Sequence, residues 1–244
     1  MSRPQLLLLC AALIPTALAG TPPKAAPLTP LRGAVISGGW RVTWSEKDAV
    51  AVRLRGTERL TLYSNGRNEW PASESAFGSP GYSEADSRVL SIVGPIVSFK
   101  VRYEGSGGMH PIYGEYIRAV DLDDAGEDAD VLQLFEEAPL VLALRRVPML
   151  AARLEARRPS DLDELLKDLG ESCDADFQSL PRSFAVLSVS GRRAVVRFGL
   201  GHGCEVNRGR YTEFDVSVPF HRERRKDFTA ASQRGSLLYS FRPE

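Results

Sequence analysis

The order in which hydrophobic periods follow one another constrains this chain's fold more than any other feature. Val97, Phe99, Val101 and Tyr103 alternate with Ser98, Lys100, Arg102 and Glu104, and a period of two puts all four apolar side chains on one face of a half-buried strand. From Pro139 the period lengthens. Leu140, Leu144, Val147, Leu150 and Leu154 recur at spacings of three and four, which is one face of a helix. After Gly170 the β-like runs return, as SFAVLSVS (183–190), RRAVVRFGL (192–200) and YTEFDVSVPF (211–220). Strands, then helices, then strands predict an α+β domain. Its antiparallel sheet carries two to three helices packed on one face, inserted between N-terminal and C-terminal strands.

Punctuation residues set the element ends. Pro139 suits a first helical turn, and Pro148 must kink or divide the helix because it lacks a donor and clashes with the preceding turn. A second helix is predicted to start at Ser160 as N-cap, with Asp163 in the reciprocal capping contact. Leu162, Leu165, Leu166 and Leu169 form its apolar face, and Gly170 ends it. Upstream, short β-like runs lie between Trp40 and Tyr63, and Asn65-Gly66 reads as a tight turn. Residues 65–87, rich in Gly, Ser, Pro and Glu, read as a long loop holding Trp70, Phe77 and Tyr82. Gly105 to Gly108 turn the 97–103 strand back into a second run from Ile112 to Leu122, so Met109, His110 and Pro111 ride on a glycine-rich hairpin tip.

The first residues predict export. Ser2, Arg3 and Gln5 make a short n-region, Leu6 to Ala19 are almost wholly apolar, and Ala17-Leu18-Ala19 is the small-x-small pattern of a cleavage site. Residues 1–20 are thus read as a signal peptide; the apolar run is shorter than the roughly 20 residues a bilayer requires. Four prolines in 21–32 mark a tether. Beyond it, 33–95 reads as an N-terminal β-rich part and 96–244 as the α+β domain. No later run reaches transmembrane length, so the mature chain is expected to be soluble, periplasmic or secreted. Charge is balanced, with 31 basic and 31 acidic side chains. That leaves no basic excess for nucleic-acid backbone binding. Cys173 and Cys204 remain after cleavage. In an oxidising compartment an even pair reads as a disulfide, contributing about 3 kcal/mol; two buried thiols are the alternative.

The chain has three histidines, and none sits in a recognised catalytic or metal-ligand spacing. His110 either shapes the hairpin turn or contacts a ligand, His202 lies in Gly-His-Gly-Cys beside the cysteine, and His221 precedes the charged run RERRKD. A hydrolase would need His110 or His202 beside a carboxylate such as Glu115 or Asp215. Asp121, Asp123 and Gly126 fall at positions one, three and six of an EF-hand loop. Position five is Ala125 and position twelve is Leu132, so the run reads as a solvated acidic turn. No metal or cofactor is expected.

The stretch VSFKVRYEGSGGMHPIYGEYIRAVDLDDAGEDADVLQLF (97–135) resembles the opening of an extracellular C-terminal domain of unknown function. That domain is shared by RsiV-type lysozyme-sensing anti-sigma factors and PdaC-type peptidoglycan deacetylases. The resemblance rests on Gly107, Gly108, His110 and Pro111 at the tip, Asp121 and Leu122, Gly126, and Leu134 with Phe135. At the far end it rests on Phe198 and Pro219-Phe220. Met109 replaces a small residue, Phe220 replaces a tyrosine, and the Cys173/Cys204 pair lies outside the pattern. The resemblance implies a non-catalytic cell-envelope binding module that recognises a lysozyme-like protein or a cell-wall glycan. It also places the tip residues Gly107, Gly108, Met109, His110 and Pro111 as a binding site. The alternative is the secreted hydrolase.

Overall fold

A computed structural model describes residues 32–70, 81–106, 111–207 and 209–238. The chain starts with an antiparallel meander of four strands: β1 (Gly33–Ser37), β2 (Trp40–Trp44), β3 (Asp48–Arg53) and β4 (Arg59–Ser64). Gly38 and Gly39 join β1 to β2 with φ of 56° and 83°. A two-residue hairpin loop requires that left-handed pair, and glycine adopts it without strain. The second sheet has five strands in sequential order: β5 (Gly66–Trp70), β6 (Gly81–Val93), β7 (Ile96–Ser106), β8 (Ile112–Asp121) and β9 (Glu127–Asp128). The third has three, β10 (Phe184–Ser190), β11 (Arg193–Leu200) and β12 (Thr212–Pro219). All neighbouring strands are antiparallel. Between the second and third sheets come α1 (Glu137–Leu144), α2 (Pro148–Leu154) and α3 (Leu162–Leu169), and α4 (Arg225–Gln233) follows β12. The α+β class and the insertion of helices between strands are as the periodicity predicts.

The five-stranded sheet is the middle layer, with a core on each face. Val89, Ile92, Val97 and Phe99 pack against Trp40, Val42, Ala51 and Tyr63 of the four-stranded sheet. Val93, Ile96 and Ala119 face the other way, into a larger core with Leu140, Leu150, Leu165, Phe184 and Phe198 from α1–α3 and the three-stranded sheet. The 97–103 alternation therefore needs a correction. Val97 and Phe99 are buried as a set, but Ser98 on the opposite face is only 1% exposed. The strand is covered on both sides at that end, and the backbone N–H of Val186 donates to the neighbouring Ser91 Oγ at 3.1 Å.

Among the described residues, the predicted loop at 65–87 is strand apart from Asn65; residues 71–80, Phe77 among them, lie outside the described residues. β5 and the polar first half of β6 carry no apolar period because side chains such as Glu84 and Ser83 are exposed on an outlying hairpin; the backbone ladder to β7 holds them instead. Asn65-Gly66 is not a hairpin turn, since Asn65 alone separates β4 from β5 as the chain changes sheet. Its side chain substitutes for a strand partner. Nδ2 donates to the carbonyls of Glu46 and Ser87, each at 2.8 Å, and Oδ1 accepts from Ser87 N–H at 2.6 Å.

Pro148 divides the helical region, standing first in α2. The α3 cap sits one residue later than predicted. Asp161 is the N-cap and accepts from Glu164 N–H at 2.8 Å, while Glu164 reaches back to Ser160 N–H at 2.7 Å. Gly170 ends the helix at φ 59°. The basic run after His221 is no mere solvated edge, since it opens α4. Phe228 of that helix is fully buried, stacked on Phe220 at 4.2 Å and edge-on to Phe135 at 5.5 Å. The helix returns the chain to the middle sheet, where Ile92 N–H donates to Ser236 O at 2.9 Å and Leu238 N–H to Leu90 O at 2.7 Å. The acidic turn is likewise structural. Asp121 accepts from Asp123 N–H and from Gln133 Nε2, and Asp123 accepts from the Trp40 indole at 2.9 Å and from Arg53. Burial raises the Asp123 carboxyl, but the Trp40 and Arg53 contacts outweigh it and hold it below the ordinary carboxylate range.

Candidate functional site

The β7–β8 hairpin runs out from the middle sheet, and its inner part forms one wall of a groove of about 360 Å³. Tyr103, Gly114, Glu115, Tyr116 and Arg118 come from this hairpin, and Asp128 from β9. The facing wall is the 3-10 turn Phe177–Arg182 with Asp176, together with Gly201 and His202 just after β11. Gly114 stands directly across the ladder from Tyr103. A Cβ there would lie 2.6 Å from the Tyr103 hydroxyl, so the missing side chain lets the ring lie down over the strand. Tyr103 in turn meets Tyr116 edge-on at 6.2 Å. Burial raises the Tyr116 phenol, which stays protonated and able to donate at neutral pH.

Charge at the groove is arranged in two sets. Asp128 accepts from Arg118 Nε at 2.7 Å and lies 3.8 Å from Arg182, leaving the two guanidiniums with one carboxylate between them. Glu115 belongs to an alternating chain: it pairs with Lys100, Lys100 is 3.3 Å from Glu213, Glu213 is 3.0 Å from Arg197, and Arg197 grips both oxygens of Asp215 at 2.6 and 2.8 Å. Lys100 also lies 4.3 Å above the Tyr211 ring. Lys100 and Arg197 are each under a fifth exposed, so a lost partner would leave a partly desolvated charge.

The Cys173–Cys204 disulfide fixes the facing wall, with Cα atoms 4.6 Å apart. Around it Gly203 N–H donates to Cys173 O at 3.2 Å and Asp176 N–H to Gly201 O at 2.9 Å, and Asn207 Nδ2 donates to Asp174 at 3.2 Å. At Gly203 any Cβ would overlap the Ser172 carbonyl, so this close approach requires glycine. His202 is held two residues from the bridge, with its Nδ1 buried and without a partner among the described residues.

Of the tip residues singled out from the sequence, Gly107, Gly108, Met109 and His110 lie outside the described residues, and Pro111 is exposed at the start of the returning strand. His202 and Glu115 share the groove, but no hydrogen bond joins them and Lys100 holds the Glu115 carboxylate. Asp215 is elsewhere, bound to Arg197. His221 contacts the Leu132 carbonyl through Nε2 at 2.9 Å. Sequence reasoning missed Tyr103, Tyr116, Arg118, Asp128 and Arg182 as one site. The available signal was a glycine inside a strand opposite a tyrosine, which marks a close approach.

Among the described residues no group of three or more His, Cys, Asp or Glu is arranged to hold a metal ion, and no helix is long and apolar enough to cross a membrane. Comparison with family models, with curated proteins and with solved structures found no match.

Proposed function

We propose that this chain is an exported, non-catalytic binding module of the cell envelope that holds a cell-wall glycan in the groove between the β7–β8 hairpin and the disulfide-bonded wall. The observation that carries the reading is the groove lining itself. Two tyrosines offer ring faces and hydroxyls to a sugar, while Arg118 and Arg182 supply donors fixed by Asp128. Ligand sites combine apolar area with a few placed polar groups in this way, and a cleft of this volume is within the usual range. The hairpin is also the element on which the sequence resemblance rests.

Isothermal titration of the protein lacking residues 1–20 against soluble peptidoglycan fragments and chitooligosaccharides tests this. Saturable binding is expected, weakened at least about tenfold, or 1.4 kcal/mol, by Tyr103→Ala. Absence of binding to both glycans removes the reading.

One observation favours a protein ligand as the second reading. Ile112 and Tyr113, next to Gly114 in β8, and Val206, two residues after Cys204, are 57%, 44% and 83% exposed, and exposed apolar groups on the elements of a site suit a macromolecular partner. Retention of a lysozyme on immobilised protein, lost on Ile112→Ser with Val206→Ser, would select it. A hydrolase would instead release new reducing ends from the glycan, and Glu115→Gln would abolish that release.

A further inference from the structure

A second groove, of about 540 Å³, lies between α1 and β12, away from the hairpin. The α1 sequence EAPLVLAL is apolar nearly all round, and a helix of that kind is normally covered on every side. Here Leu140, Val141 and Leu144 are buried, yet Leu142 is left 46% exposed at the groove. Val147 and Pro148 continue the apolar wall beyond the helix, with Phe214 and Val216 of β12 opposite.

The rim is cationic. Arg146 and Arg193 are both exposed and neither has a carboxylate partner among the described residues. Arg193 is held along the rim by donating to Ser217 Oγ at 3.1 Å. The one acid at the groove, Asp215, has both oxygens taken by Arg197. An apolar floor between two uncompensated guanidiniums complements a segment that carries leucine-like side chains next to carboxylates. We infer that this groove is a docking site for an acidic, amphipathic segment of a partner protein, separate from the glycan groove.

Fluorescence anisotropy tests it with a fluorescein-labelled peptide of leucine and glutamate at helical spacing, and with its leucine–lysine counterpart. The acidic peptide is expected to bind saturably and the basic one not. Leu142→Asp and Arg146→Glu, both at exposed side chains, should each weaken the acidic peptide at least about tenfold with unchanged thermal melts, and added salt should weaken it further. Tyr103→Ala should leave it unchanged, which separates this site from the glycan groove. The inference is overturned by equal binding of the two peptides, by acidic-peptide binding that survives Arg146→Glu, or by no saturable binding. It also falls if wild type sediments as a dimer that Leu142→Asp dissociates, because a second copy would then be the occupant.

Discussion

Asn65 carries more of this structure than its position in an Asn-Gly pair suggests. Its side chain satisfies both the N–H and the C=O of Ser87, a residue only 3% exposed. Asn65→Ala strands two buried backbone groups and is expected to lower stability by about 2–3 kcal/mol, read from urea unfolding midpoints. Asn65→Asp should do little better, since a carboxylate keeps the acceptor but loses the donor that two carbonyls use. Tyr63 gives the molecule an alkaline limit. Burial pushes its phenol up to about 12, against the smaller pull of a hydrogen bond with the Val89 backbone. The unfolded chain releases that proton near the ordinary phenol value of 10.0, so this contribution is intact below about pH 10 and declines by about 2 kcal/mol as pH rises to 12. Tyr63→Phe should flatten that part of the stability–pH curve. Side chains such as Asn65 and Tyr103 were not legible beforehand because their roles depend on what faces them across a fold, which no local spacing encodes.

Elements were more legible than residues where burial is one-sided, and less where it is not. Pro148 opens α2 and Gly170 ends α3 as their chemistry dictates. The α3 cap slipped by one because Ser160, Asp161 and Glu164 offer two overlapping capping frames, and the geometry chose Asp161. β6 was hidden because half of it is polar on both faces, and α4 because its basic start masks Phe228 and Ala231. The loop pair clamped by Cys173 and Cys204 makes an element-scale prediction. The bridge closes a loop with a sequence separation of 31, worth about 3–4 kcal/mol in the unfolded-state entropy account. Cys173→Ser with Cys204→Ser should lower the melting temperature, and reductant should lower that of wild type by the same amount. Hydrogen exchange should then rise first at residues 201–207, the groove wall, because α1–α3 and the sheets keep their own cores.

At the scale of the molecule, the four-stranded sheet covers one face of the five-stranded middle layer and the helices with the three-stranded sheet cover the other, and the polar link from Trp40 and Arg53 to Asp123 ties the first sheet to it. Asp123→Asn should weaken that link most at neutral pH and less as pH falls through the depressed carboxyl titration, because acid already removes the same charge in wild type. The measurement is the pH dependence of unfolding for both proteins, and parallel curves at every pH would contradict it. The α+β order was readable from periodicity alone. The division into three sheets was not, since antiparallel pairing leaves the same alternation whichever sheet a strand joins. Export remains a whole-molecule prediction: mass spectrometry of protein recovered outside the cytoplasm should show a first residue close to Gly20.

The return of residues 236–238 to β6 also joins distant parts of the chain. Ile92 and Leu90 lie in the second half of β6, and among the described residues their outer backbone groups are paired by Ser236 and Leu238. Those partners lie about 145 residues further along the chain, so this border of β6 is a long-range contact whose loop-closure entropy must be met before it forms.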